Sequence, residues 1–208
     1  MAIEALKNFN AIQDQKRTSE YLDISQNELQ RLGLLVDKVL KLSMFENRQM
    51  VVTPELLNLG DVVNEVINSL RLQAEKQHAD IEVNLAGNLN TRGDRMHLQS
   101  VVFNLLDNAL KYSRDNVKIS VDLKEDGDNL LLRVSDNGIG IPPHYQKKIF
   151  DKFFRVPAGD THNAKGHGLG LSYVSQVIRQ HNGSILVESN EGEGSIFTVS
   201  LPKNLSQE

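Results

Sequence analysis

From Tyr21 to Phe45, apolar side chains fall at Leu22, Leu29, Leu32, Val36, Val39 and Leu42, with Leu35 and Phe45 widening the stripe. Steps of three and four over this length predict a long amphipathic helix. The preceding residues are less regular: Ala2–Phe9 reads as a helical end and the polar Asn10–Arg17 as a joining loop. A helical arm with one apolar face needs a surface to cover it, either the following domain or a second chain, and the second chain is the preferred reading.

Beyond Arg48 the pattern changes. Met50–Leu57 reads as a short extended piece that Pro54 confines to an edge or an irregular strand. Helices are expected over Asp61–Gln77, Asp94–Lys111 and Leu169–Gln180. Strands are expected over Ile81–Leu85, Asn88–Arg92, Val117–Leu123, Leu130–Ser135, Gly183–Glu188 and Ser195–Leu201, with hairpin turns at 124–129 and around Gly192 and Gly194. The fold class is therefore α+β: a two-layer α/β sandwich with a mostly antiparallel mixed sheet, helices on one face, preceded by the helical arm. The division is into 1–48 and 49–208.

Composition narrows the picture. With 27 acidic and 23 basic residues the formal charge is −4, which gives no support to a nucleic-acid surface. The absence of cysteine excludes disulfides and thiolate chemistry. No stretch approaches the roughly 20 apolar residues of a membrane span, so no membrane contact is expected of this chain.

Candidate chemistry begins on the helix over 94–111. Asn104, Asn108 and Lys111 share one of its faces, and the two asparagines interrupt Val101, Val102, Leu105 and Leu106. An asparagine carbonyl oxygen is a neutral hard ligand suited to Mg²⁺, which makes Asn108 the metal candidate. Asn104 is placed to bond a phosphate or a metal-bound water, Lys111 to offset phosphate charge, and Tyr112 to lie along a ribose or base edge. A helix face that merely carries Asn and Lys is the alternative.

Asp136 closes an apolar strand and opens Asp136–Pro142 (DNGIGIP). A carboxylate there can accept from the exocyclic amine of adenine and would repel the acceptor that guanine presents instead. Gly138 and Gly140 allow the backbone to approach a base closely. An ordinary Asp-Asn-Gly turn is the competing reading.

Farther on, Phe150, Phe153 and Phe154 are read as pinning the base of a mobile loop that runs through the polar 157–165, with Arg155 and Lys165 as phosphate contacts. Gly166–Leu171 (GHGLGL) then offers backbone N–H groups and a helix start to phosphate oxygens. It lacks the Lys-Ser or Lys-Thr pair of a P-loop, and the glycine spacing at 138–140 fits a Rossmann turn poorly.

In their order and spacing, Asn104–Ser113, Asp136–Pro142, Ile149–Arg155 and Gly166–Leu171 resemble the asparagine, first glycine, phenylalanine and second glycine boxes of the ATP-binding domain of bacterial sensor histidine kinases. That superfamily includes gyrase B, Hsp90 and MutL. The resemblance runs from about Glu28 to Leu201 and implies a fold of the histidine kinase ATPase type. It implies ATP and Mg²⁺ as cofactors, with Asn108 on the metal, Asn104, Lys111 and Arg155 attending phosphoryl transfer, Asp136 reading adenine, and 143–166 acting as a lid. Nucleotide contacts carried over in the same way are Tyr112, Gly138, Gly140, Ile141, Phe150, Lys165, Gly166, His167, Gly168, Leu169, Gly170 and Leu171.

Leu29–Glu46 resembles the second helix of the family's dimerisation and phosphoacceptor hairpin, which implies a homodimer through the arm. All six histidines, at 78, 97, 144, 162, 167 and 181, follow the arm. The family's acceptor histidine, with its acidic neighbour, is therefore not matched. The expectation is the ATP-binding region of a longer two-component kinase, unable to phosphorylate itself, whose product is phosphohistidine on a hairpin helix this chain lacks. The implied partners are that hairpin and a response regulator receiver domain. The implied location is the cytoplasmic portion of a membrane-anchored parent. Other classes to weigh are an ATPase of the chaperone or topoisomerase type, which would need an acidic general base near the asparagine box, and a regulatory serine kinase of the anti-sigma type.

Overall fold

The alternation between residues 117 and 135 becomes two antiparallel strands in the computed structural model, which describes residues 22, 24, 25, 28, 51–113, 116–157 and 168–204. The chain divides into two units, Met1–Met50 and Val51–Glu208, and the second is described by itself. Of the arm, residues 22, 24, 25 and 28 are helical, with Leu22 and Ile24 exposed. The rest of the expected hairpin lies outside the described residues.

The second unit runs β1 (Glu55–Asn58), α1 (Leu59–Lys76), β2 (Asp80–Ala86), β3 (Asn90–Gly93), α2 (Arg95–Lys111), β4 (Lys118–Asp126) and β5 (Asn129–Asp136). Two 3₁₀ turns follow, Pro143–Tyr145 and Lys148–Phe150, then α3 (Gly170–Gln180), β6 (Ser184–Asn190) and β7 (Gly194–Pro202). Five strands pair in the order β2-β4-β5-β7-β6, with β2 parallel to β4 and the other neighbours antiparallel. The mostly antiparallel mixed sheet expected from the sequence is thus present. A second, two-stranded sheet pairs β1 with β3.

Alternation decides which sheet face is covered. Ile119, Val121 and Leu123 of β4, Leu130, Leu132 and Val134 of β5, and Phe197, Val199 and Leu201 of β7 are all buried. The helices supply the opposing layer through Val62, Val63, Val66 and Leu70 of α1, Leu98, Val101, Val102, Leu105 and Leu106 of α2, and Val174, Val177 and Ile178 of α3. Each such side chain contributes about 1.5–3 kcal/mol by leaving water.

Helix boundaries follow their caps. Helix α1 starts two residues before the expected Asp61 because the Asn58 side chain accepts from Gly60 N (2.9 Å) and Asp61 N (3.3 Å). Helix α2 is capped by Asp94, whose Oδ1 accepts from His97 N at 3.0 Å and whose Oδ2 accepts from Thr53 N at 3.0 Å. Burial raises the Asp94 pKa, but the two backbone donors together with the neighbouring His97 and His181 outweigh it and hold the carboxyl below its usual value.

His181 closes the other side of this cap. It is 1% exposed, its Nδ1 donates to Val177 O (2.8 Å), and its Nε2 accepts from Asp94 N (2.9 Å). Those partners fix one neutral tautomer. Burial pushes the His181 pKa below its ordinary value. The folded state therefore refuses a proton that an unfolded imidazole accepts below about pH 6.5. This contribution to stability is complete above that pH and is lost as pH falls from there toward the depressed folded value. His181→Gln, which keeps an acceptor for Asp94 N, should show a flatter fall in melting temperature between pH 6.5 and 5 than the parent. Superimposable slopes in the two proteins would rule the effect out.

Candidate nucleotide site

Three strands of the sheet run out of apolar side chains at the same level. The register aligns Ile119 with Asp136, Asp136 with Ser195, and Ser195 with Ser189. Asp136 and Ser195 have the same parity as the buried residues of β5 and β7, and Ser189 that of the half-buried Ile185 and Val187 of β6, so a polar row succeeds the core rows on the helix-facing side.

Asp136 ends β5 half-buried, and its Oδ1 accepts from Gly138 N at 2.8 Å. Burial raises its pKa, while the Gly138 and Ser195 backbone N–H groups pull in the opposite direction. A carboxylate has about four acceptor positions, which leaves capacity for a further donor.

The turn after Asp136 is held from both sides. Ile139 N donates to Tyr112 O at the end of α2 (3.0 Å), and Ile139 O accepts from Gly192 N in the β6–β7 hairpin (2.8 Å). A Cβ on Gly138 would stand 2.5 Å from Tyr112 O, and one on Gly140, whose φ is +70°, would stand 1.9 Å from Asn190 O. Only glycine satisfies both approaches. Asn137 fastens the near side by accepting from Lys118 N (2.9 Å) and donating to Asn116 O (2.9 Å).

Helix α2 brings the asparagines. Asn104 is half-buried, donates from Nδ2 to Ser100 O (2.7 Å), and has its Oδ1 2.6 Å from where a Gly170 Cβ would be. The start of α3 thus lies against the middle of α2. Asn108 is half-buried, and among the described residues its carboxamide has no hydrogen-bond partner. A half-buried neutral oxygen donor of this kind fits Mg²⁺, which takes one or two protein ligands and completes its shell with waters or phosphates. Lys111 forms an ion pair with Asp107, one turn back on α2.

Helix α3 begins at Gly170 behind Leu169 with no side-chain cap. Its first N–H groups therefore lack the side-chain acceptor that ordinarily serves them, an arrangement suited to an anion. Gly168 (φ +69°) accepts from Phe153 N at 3.0 Å, which brings the two described edges of the intervening segment together.

Not every expected site residue is accounted for in this way. Lys165, Gly166 and His167 lie outside the described residues. Arg155 is exposed, Leu171 is half-buried in the first turn of α3, Ile141 is half-buried, and Tyr112 is 39% exposed at the end of α2. The phenylalanine segment differs from its expected role: Ile149, 7% exposed, is the buried anchor, while Phe153 is 60% exposed with φ +63°. Phe150 is half-buried, and Phe154 stacks at a tilt on Tyr145, ring centres 5.5 Å apart. Sequence reasoning missed Ser189 and Gln146, whose contacts to the Asp136 turn span more than 40 residues or leave no local pattern.

The sequence profile of the histidine kinase-, DNA gyrase B-, and HSP90-like ATPases matches residues 93–205. The chain is 38% identical over 182 residues to the sensor protein RprX of Bacteroides fragilis, covering 86% of this chain and 35% of that protein. It is 33% identical over 202 residues to the sensor protein kinase WalK of Staphylococcus saprophyticus, covering 96% and 33%. The chain thus spans about a third of the length of these curated relatives. Among solved structures, the catalytic domain of histidine kinase ThkA superposes with a TM-score of 0.64 at 28% identity, covering 74% of this chain and 99% of that one. A mycobacterial sensor histidine kinase, MprB, gives 0.64 at 28% identity, covering 74% and 100%. ThkA in complex with the response regulator protein TrrA gives 0.67 at 27% identity, covering 91% and 52%.

Proposed function

Because the chain belongs to the histidine kinase-, DNA gyrase B-, and HSP90-like ATPase family, we propose that it is the ATP-binding catalytic region of a two-component sensor histidine kinase. It donates the γ-phosphate of ATP to a histidine on a hairpin helix outside this sequence. One observation carries the reading: Asn108, whose carboxamide has no hydrogen-bond partner among the described residues, the half-buried Asp136 and the uncapped start of α3 are drawn together by the Ile139–Tyr112 bond and the Gly170–Asn104 approach. The set offers a metal ligand, a base acceptor and an anion site.

In this reading Asp136 accepts from the exocyclic amine of adenine. Asn104 and the first N–H groups of α3 hold phosphate oxygens, while Lys111 and Arg155 offset their charge. Asn108 would hold Mg²⁺, which when bound neutralises charge on the phosphates and orients them. Lys165, Gly166 and His167 belong to the proposed lid over the nucleotide.

A hydrolase would need an acidic base near the asparagines. The neighbouring Asp107 is committed to Lys111, and 99–103 contains no acid. This favours transfer to an imidazole nitrogen, which carries its own lone pair and needs no base to become nucleophilic. The proposal extends to a receiver domain as the next phosphate acceptor, to a homodimer through the arm, and to a membrane-anchored parent whose cytoplasmic portion includes this region. Among the described residues no helix is long and apolar enough to cross a membrane. The chain alone is expected not to phosphorylate itself, since no histidine precedes residue 78.

The test is calorimetric titration with a non-hydrolysable ATP analogue, with and without Mg²⁺, followed by incubation with labelled ATP and a separately produced histidine-bearing hairpin from a sensor kinase. Binding should strengthen with Mg²⁺, and Asn108→Ala should remove most of that gain, about tenfold or more. Acid-labile label should appear on the hairpin and not on the chain alone. Label on a serine of a protein partner, or rapid phosphate release without transfer, would replace this reading with one of the other two classes.

A further inference from the structure

The turn that follows Asp136 has little regular structure of its own, yet both backbone polar groups of Ile141 are fixed by residues outside every nucleotide motif. Ser189 Oγ accepts from Ile141 N at 2.8 Å. Gln146 Nε2 donates to Ile141 O (3.0 Å) and to Ser189 O (2.6 Å). Ser189 Oγ also lies 2.7 Å from Gly194 O and 3.0 Å from Ser195 Oγ, and its single proton can go to either. Ser195 in turn pairs with Asp136 across the sheet, and its backbone N–H acts on that carboxyl.

Resting on the nucleotide reading above, we infer that Ser189, assisted by Gln146, is a positioning residue that sets adenine selectivity by fixing the Gly138–Ile141 turn and the level of Asp136. Neither side chain touches the base. Gln146 sits in the turn after Pro143 and Ser189 near the end of edge strand β6, so the two join the beginning of the 143–166 segment to the sheet. The Ile141 N–H of a Ser189→Ala protein has no replacement acceptor in this geometry. The turn then keeps the bonds of Gly192 and Tyr112 to Ile139 and of Gln146 to Ile141 O, but Ile141 N loses its anchor on β6. The distance between the Asp136 carboxylate and a base held by that turn becomes variable, and discrimination between an amine and a carbonyl on the base depends on that distance.

Titration of the full chain and its variants with the non-hydrolysable analogues of ATP and GTP, and with inorganic tripolyphosphate, tests this. Ser189→Ala should weaken the ATP analogue about tenfold, leave tripolyphosphate unchanged, and shrink the adenine-to-guanine ratio. Ser189→Thr, which keeps the hydroxyl, should restore the ratio. Gln146→Leu should shrink it by a smaller factor, and decides the matter if Ser189→Ala does not fold. An unchanged ratio in a folded variant overturns the inference even if melting temperature or overall affinity falls, since that marks a merely structural role. If the parent binds tripolyphosphate but neither nucleotide, or binds nothing, the nucleotide reading itself fails and takes the inference with it.

Discussion

Asp136→Asn is expected to weaken binding of the ATP analogue by about 10- to 150-fold while leaving the unliganded protein as stable as before or more so. The first figure corresponds to losing a hydrogen bond to a charged group, about 1.5–3 kcal/mol. The substitution also reverses a polarity. Gly138 N needs an acceptor, so the carboxamide oxygen would take the place of Oδ1 and turn its NH₂ toward the base. That donor meets the amine of adenine and suits the carbonyl of guanine, so preference should relax toward guanine nucleotides. The stability expectation follows from the direction of the Asp136 pKa. Burial raises it above the unfolded value, so the contribution of this group is complete below about pH 3.8 and is lost as pH rises through the folded value. At neutral pH the buried charge is a cost that Asn removes. Calorimetry and thermal melting at pH 7.5 measure both halves, and undiminished affinity for the adenine analogue would remove Asp136 from the site.

Gly140→Ala is expected to cost about 3 kcal/mol or more and to lower the melting temperature by roughly 6–12 °C. The new Cβ would meet Asn190 O at 1.9 Å, from a backbone with φ +70°. The obstacle is main chain: Asn190 is paired with Gly194, and the same hairpin holds Ile139 through Gly192. Neither partner can withdraw without breaking the other contact. Gly127→Ala is the control, because Gly127 has φ +60° but nothing within 4 Å of an added Cβ. It should show only the left-handed strain, roughly 1–2 kcal/mol. Equal losses in the two variants by denaturant unfolding would mean that strain, and not the approach to Asn190, governs position 140.

Residues whose partners are local were legible in the sequence. Leu130, Leu132 and Val134 alternate, and they form the buried face of a strand; Val101, Val102, Leu105 and Leu106 recur at helical spacing, and they face the sheet. The candidate site was readable for the same reason, since Asn104, Asn108 and Lys111 share a helix and Asp136–Pro142 is continuous. Long-range pairings were not. A strand over Asn88–Arg92 was expected, but nothing local announced that it pairs with β1 in a separate sheet. Period alone cannot tell that β2 lies parallel to β4. His181 stands in the polar run Arg179–Gly183, and its burial depends on Asp94, 87 residues away. Ser189 resembles any serine near a hairpin until Ile141, 48 residues earlier, is brought against it.

The common level at which β5, β7 and β6 exchange apolar for polar side chains has a thermodynamic consequence. A flat base laid beside Asp136 would occupy the place of the next core row, so ligand and protein would share one folding equilibrium. A nucleotide present at a hundred times its Kd then adds about 2.7 kcal/mol to the stability of the domain. In a cell rich in ATP, the unliganded domain would be the scarce form, and its lifetime against proteolysis would track the energy charge of its surroundings.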